Sequence, residues 1–204
     1  MVFQKVLVAL MGLWSVSAWA ADPWCSAREN RVHSFAWTAT DKAEPRLGTV
    51  HVKHVDSGKT VQVIPNVENY HDDSDAFRFT DFNNDRCPDL LVTSSVAGIG
   101  NESNTVFLYD RKRRKFVLSK TLSEIGGLNI DRRDKNCVTG FWKGGAADFY
   151  TSKHCWRNGR LVIKREYSVG PVVNADGEQQ CYQHITTEYH GGKKKVKKRC
   201  TQEF

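Results

Sequence analysis

Runs in which apolar and polar side chains alternate recur along the chain: "RVHSFAWTA", "GTVHVKHV" and "KTVQVI", while aromatic or β-branched residues dominate "NTVFLY", "KFVLS" and "RLVIKREY". A period of two sends successive side chains to opposite faces of an extended strand, and no comparable stretch carries the period of a helix. Turn chemistry stands between the runs. Ser57-Gly58 joins residues 48–55 to 59–64, Asn158-Gly159 joins 147–157 to 160–167, and His190-Gly191 joins 181–189 to 192–200. Such dipeptides supply the backbone that a right-twisted hairpin needs. One helical turn is expected in "SKTLSEIGG", residues 119–127, with Ser123 as its cap and the glycines ending it. The pattern predicts an all-β chain, a single antiparallel β domain with propeller-like or sandwich sheets.

The first twenty residues read differently. "MVFQKVLVALMGLWSVSAWA" has one basic residue, Lys5, then an apolar run, then Ala18-Trp19-Ala20, the small-x-small pattern of a signal-peptidase site. The run from Val6 to Val16 falls short of the roughly 20 apolar residues that span a bilayer. Cleavage is therefore expected, with residues 1–20 as signal peptide and 21–204 as the single β domain. Ala21 offers no thiol for lipid attachment, and no later segment is long and apolar enough to span. The expected product is periplasmic or secreted, and soluble after cleavage. Its 204 − 20 = 184 residues, with 40% hydrophobic content in the whole chain, suffice for one core.

Cys25, Cys87, Cys137, Cys155, Cys181 and Cys200 all lie in the mature part, and none forms a C-x-x-C pair. An even number in an oxidising compartment implies disulfides, although six cysteines allow fifteen pairings. If Tyr189 opposes Gly192, positions summing to 381 pair and Cys181 lands opposite Cys200. That link would add about 3 kcal/mol by the chain-entropy estimate. Cys137 and Cys155 flank another expected hairpin, which leaves Cys25 with Cys87.

Between two apolar runs lies "FRFTDFNNDRCPDLLV", residues 77–92, which gathers Asp81, Asn83, Asp85 and Asp89 in one short loop. Carboxylates held close repel and raise one another's pKa, so a cation among them is expected. Oxygen ligands at alternate positions, with one backbone carbonyl between them, suit calcium. Here these are Asp81, Asn83, Asp85, the Cys87 carbonyl and Asp89, placing the metal loop at 81–89. An EF-hand would need Gly and Glu where this chain has Arg86 and Val92. The bland alternative is a metal-free turn rich in Asp and Asn, which favour turns for local reasons.

The spacing D-x-N-x-D-x-x-x-D followed by "PDLLV" resembles the calcium loop of the FG-GAP/VCBS families, whose usual glycines are here Asn84 and Arg86. One copy is present, which excludes a multi-bladed propeller. With "NTVFLYDRKRRKFVLSKTLSEIGGLNID" and "GGAADFYTSKHCWRNGRLVIKREYS" after it, the chain is similar to exported bacterial immunity proteins that block type IV secreted peptidoglycan hydrolases, with a fold akin to periplasmic lysozyme inhibitors. The resemblance implies a calcium-binding inhibitor that inserts a loop into the active site of a lysozyme-like effector. The partner would be a secreted peptidoglycan hydrolase or lysozyme.

Net charge of +7 favours acidic partners. The run "GGKKKVKKRC" is its main source, suited to an anionic envelope polymer or simply to protecting a strand edge. It lacks the interleaved aromatics of a base-stacking surface, so nucleic acid is not expected. Nor is catalysis. His51 and His54, three apart on a strand, face opposite sides, Asp72, Asp73 and Asp75 read as loop acids, and no nucleophile motif is present. The expected partner surface is built from "SSVAGIGNESN" and "WKGGAADFY", through Gly98, Gly100, Asn101, Gly144 and Gly145, with Trp142 and Tyr150 as anchors. The alternative is a calcium-stabilised envelope adhesion or anionic-polymer-binding module that uses the basic face.

Overall fold

The structure, a computed structural model, describes residues 22–26, 32–41, 46–71 and 77–203. The leader at 1–20 and the acids Asp72, Asp73 and Asp75 lie outside the described residues. Three antiparallel sheets form, in which every ladder joins strands adjacent in sequence. The first holds β1 (His33–Ala39), β2 (Leu47–His54) and β3 (Thr60–Glu68). The second holds β4 (Phe77–Thr80), β5 (Asp89–Val96), β6 (Glu102–Asp110) and β7 (Lys115–Leu118). The third runs from β8 (Asn129–Ile130) through β9 (Cys137–Lys143), β10 (Phe149–Arg157), β11 (Arg160–Val173) and β12 (Gln179–His190) to β13 (Lys193–Thr201). The all-β, antiparallel, disulfide-bonded expectation holds, and among the described residues no helix is long and apolar enough to cross a membrane.

The second sheet is buried on both faces along its inner strand β5, while β4 and β7 at its edges are partly exposed. Along β5 the first five residues are buried without interruption, as a strand sandwiched between two layers must be. Leu90 and Val92 face one core with Val50, Val52, Ile64 and Val67 of the first sheet. Leu91, one position between them, faces the other with Val106, Leu122 and Val138. A short helix, α1 (Pro23–Ser26), closes the first core and carries no sequence signal of its own. Its Trp24 is the hub, with ring centroids of His33, Phe35, Phe79, Tyr109 and Phe116 all within 6.1 Å.

All three cysteine pairs form as expected: Cys25–Cys87, Cys137–Cys155 and Cys181–Cys200. The last hairpin nevertheless differs from the expected register. His190 opposes Lys193, so paired numbers sum to 383 rather than 381. The turn is Gly191-Gly192, both at positive φ (54° and 78°), because glycine adopts that backbone more cheaply than His190 would. A slip of two keeps each side chain on its face, which is why Cys181 still reaches Cys200. The Asn158-Gly159 turn is as expected, with φ of 51° and 73° and Arg157 opposite Arg160. The Ser57-Gly58 hairpin forms with a longer loop, closed by the His54 N–H to the Lys59 carbonyl at 2.9 Å.

Two other expectations shift. The helical turn is α2 (Lys120–Ser123), and Ser119, not Ser123, stands at its N-cap. The Ser123 hydroxyl instead donates to the Ser119 carbonyl and accepts the Val106 N–H, fastening the turn to β6. Strand β11 also runs past Tyr167 to Val173. Pro171 is tolerated there because it lies beyond the end of β10, where β11 has one neighbour.

Gly127, at φ 57°, donates its N–H to the Glu102 carbonyl, and a Cβ there would stand 2.3 Å from the Phe141 oxygen. Gly127→Ala should lower unfolding free energy by about 3 kcal/mol in urea titration. Gly177→Ala, at φ 83° in open space, should cost about 1 kcal/mol. The disulfides should rank by the chain they close. Removing Cys25–Cys87, separation 62, should cost about 4 kcal/mol, and removing Cys181–Cys200, separation 19, about 3 kcal/mol. Equal losses within each comparison would contradict these assignments.

Candidate metal loop and partner-facing cleft

The acidic loop leaves β4 at Asp81 and enters β5 at Asp89. Two residues inside it take left-handed backbone, Asn84 at φ 57° and Arg86 at φ 71°. Glycine favours that backbone, and neither position carries it. Asn adopts the conformation readily, whereas Arg adopts it at a cost.

The side chains fold inward onto the loop's own N–H groups. Asp81 accepts from Asp85 N at 3.1 Å and from Arg86 N at 2.7 Å, and Asp85 accepts from Cys87 N at 2.8 Å. The Asn83 amide accepts from Asp85 N at 3.1 Å and donates to the Asp85 carboxylate at 3.0 Å. Asp89 is wholly buried and receives Phe82 N and Tyr109 N, each at 2.8 Å. Burial pushes its pKa up to about 7, helped by the Asp85 and Asp81 charges and opposed by the two N–H bonds. Among the described residues none of these three carboxylates forms an ion pair.

Four braces hold the loop from outside. The Trp24 indole donates to the Pro88 carbonyl and the Trp156 indole to the Phe82 carbonyl, both at 2.7 Å. The Cys25–Cys87 bond ties its far limb to α1, and Asn84 bonds Asn136 at 2.8 Å.

The donor set fits a hard cation. All five expected ligands offer oxygen, and each carboxylate oxygen that accepts one N–H keeps a lone pair. Three carboxylate oxygens, one from each of Asp81, Asp85 and Asp89, do not lie within 4.8 Å of one another. Since calcium takes ligands at about 2.3–2.6 Å, the side chains would draw together around it. The one described cluster that is tighter, Asp134 with Cys137 and Cys155, is no thiolate site because its sulfurs are joined to each other.

At the other end of β5 the expected partner residues converge. Asn101 is buried, and its amide both donates to the Lys143 carbonyl at 2.7 Å and accepts the Lys143 N–H at 2.9 Å. It therefore joins the β5–β6 loop to β9 rather than facing outward. Gly98, Gly100 and Gly145 are open to added atoms, whereas a Cβ on Gly144 would meet the Asp148 carboxylate at 2.4 Å. Trp142 and Tyr150 sit opposite each other on β9 and β10, and both are exposed. Trp142 lies over Gly126, where a Cβ would come within 2.6 Å of its ring.

Beneath these rings opens a cleft of about 550 Å³ that includes Ile125, Trp142, Tyr150, His154 and Glu166. Glu166 accepts the Tyr150 hydroxyl at 2.7 Å and the Tyr189 hydroxyl. Burial pushes its carboxyl up, but those two bonds, with Lys194 and His154, leave it below its ordinary value. Burial and the same carboxylate push Tyr150 up to about 12, and burial lowers His154. Sequence reasoning missed Glu166, Tyr189 and His154. A β-bulge between Lys153 and His154 shifts the β10–β11 register by one, bringing Glu166 opposite Ser152. Without that bulge Glu166 would face Thr151, on the other side of the sheet.

No family model matches this chain, and no curated protein does. Among solved structures, a Xanthomonas type IV secretion system related protein is similar, with a TM-score of 0.53 and 18% identity. The match covers 79% of this chain and 84% of that one, so the two share a fold.

Proposed function

We propose that this protein is an exported, calcium-binding inhibitor of a lysozyme-like cell-wall hydrolase, which it blocks by inserting a loop into the enzyme's active site. The observation that carries this reading is the Asn101 bridge, which makes one edge of two glycine-bearing loops and sets it beside Trp142 and Tyr150. A rigid edge with two aromatic anchors binds without paying to order its loops. Gly145, open on all sides, lets the β9–β10 backbone approach a cleft floor closely. Glu166 fixes the Tyr150 hydroxyl so that the ring enters in one orientation. Lysozyme-type sites carry paired carboxylates, and a chain of net charge +7 meets them faster than a neutral one. A protein of this fold that is related to a type IV secretion system fits protection against an effector delivered that way.

Asp81, Asn83, Asp85, Asp89 and the Cys87 carbonyl would hold the calcium. Bound there, it supplies the positive charge that the clustered carboxylates lack. Its role is at a distance, because β5, eight residues long, separates the metal loop from the inhibitory edge by about 24 Å. Calcium steadies the strand and leaves the hydrolase to the loops.

Titration calorimetry on chelator-stripped protein should give a Kd on the order of 10⁻⁴ M, and ~1 mM calcium should add about 1.4 kcal/mol of stability. Asp81→Ala with Asp85→Ala should abolish both. Arg86→Gly should tighten binding and stabilise the metal-free protein by up to about 1 kcal/mol, because it relieves left-handed backbone and removes a positive charge. A melting temperature indifferent to calcium in all three proteins would sink the metal assignment.

In muralytic assays against a panel of lysozymes and neighbouring secreted hydrolases, Tyr150→Ala and Gly145→Arg should each weaken inhibition at least about tenfold. Folding and calcium binding should be intact in both. Absence of inhibition by the unaltered protein at micromolar concentration, with calcium present, would refute the reading.

A further inference from the structure

The third sheet has a second face that the inhibitory edge does not use, and strand register decides what it carries. Opposed residues in an antiparallel ladder share a face. One row across β9–β13 is Phe141, Thr151, Tyr167, Thr186 and Lys197. The row beside it is Lys143, Phe149, Val169, His184 and Arg199, and a third is Thr139, Lys153, Arg165, Glu188 and Lys195. Trp142 and Tyr150, each one position from a member of these rows, point to the opposite side.

Rings from the first two rows mesh into one band. Phe141 lies 5.9 Å from Phe149, Phe149 lies 5.7 Å from Tyr167, and Tyr167 lies 6.1 Å from His184. The imidazole is fixed by the Tyr167 hydroxyl at 2.7 Å and the Thr201 hydroxyl at 2.8 Å. Phe141 is 47% exposed, so the band is open surface at its β9 end. Lys143, Arg165, Lys195, Lys197 and Arg199, all exposed, surround it. Lys153 is paired with Asp131 at 2.8 Å, and Glu188 is the one acid in the three rows. The basic run of β13 has no aromatics of its own, yet β9–β11 place them beside it.

We propose that this face binds an acidic polysaccharide, with sugar rings resting on the aromatic band and carboxylate or phosphate substituents paired with the basic rim. Charge complementarity favours a polyanion. The five strands extend the surface over about 19 Å at the usual strand spacing, which suits a polymer more than a single sugar. Neighbouring rings are tilted by 34°, 57° and 33°, so they offer no parallel platforms for successive bases. Thr151 and Thr186 alternate with Phe141 and Tyr167 in the first row and offer hydroxyls to a hydroxyl-rich ligand. This binding is separate from hydrolase inhibition and would hold the inhibitor near the envelope.

The test is affinity electrophoresis of the full chain in gels containing polygalacturonate, with dextran as neutral control and an oligothymidylate as competitor. Polygalacturonate should retard the protein, dextran should not, and added salt should weaken the effect. The triple variant Lys195→Glu, Lys197→Glu, Arg199→Glu should lose about a hundredfold in affinity. Phe141→Ala should lose about fivefold, and Phe141→Leu, which keeps the apolar bulk, should lose a similar factor. Muralytic inhibition should be unchanged in both Phe141 variants, which keep the net charge, so failure here is distinguishable from failure of the inhibitor reading. No retardation by polygalacturonate, full affinity in both Phe141 variants, or tighter binding of oligothymidylate would each overturn the proposal.

Discussion

A single buried carboxylate holds the architecture together. Asp89 opens β5 in the middle layer and spends one oxygen on Phe82 N in the loop and the other on Tyr109 N in β6. Phe82 belongs to one core and Tyr109 to the other. The same side chain thus fixes the loop, the central sheet and the relation between the two hydrophobic layers. Removing it would orphan two buried N–H groups, each costing about 1–3 kcal/mol. Its burial is also costly to its charge, and with the Asp85 and Asp81 charges nearby this raises its pKa.

The two faces of sheet three see different neighbours. One packs β9 and β10 against α2 and the second core, and its overhang makes the cleft under Trp142 and Tyr150. The other carries the Phe141–His184 band, exposed at Phe141 and closed over the buried Val169. A one-residue bulge in β10 sets which residues join the cleft: it brings Glu166 to the side of Tyr150 and leaves Tyr167 with the aromatic band.

Much of this was legible before any coordinates. Alternation located most strands because a period of two has one structural meaning, and Asn158-Gly159 named its turn because few other pairs adopt that backbone cheaply. The gathering of Asp81, Asn83, Asp85 and Asp89 in one short loop was legible from spacing, and that loop turns through left-handed backbone at Asn84 and Arg86. What stayed hidden depends on partners far away in sequence. Nothing in "PWCS" says that Trp24 will sit among five other rings. Nothing local to Lys153 announces the bulge, and the choice between His190-Gly191 and Gly191-Gly192 as turn rests on a difference in backbone cost that alternation does not register. The aromatic band was invisible for the same reason, since its members come from four strands and meet only once register is known.

The sequence-neighbour pairing of every ladder has a consequence for how the chain is assembled. Each meander closes its hydrogen bonds over short stretches, so an all-β protein acquires the local contacts that favour fast folding. A sheet can complete itself before the following one has been synthesised. The N-terminal segment is the exception: Trp24 and Cys25 reach their places only when residues 62 positions later arrive at Cys87. The first part of the described chain to appear is therefore among the last to be locked, and oxidation of that pair seals a core whose other walls already stand.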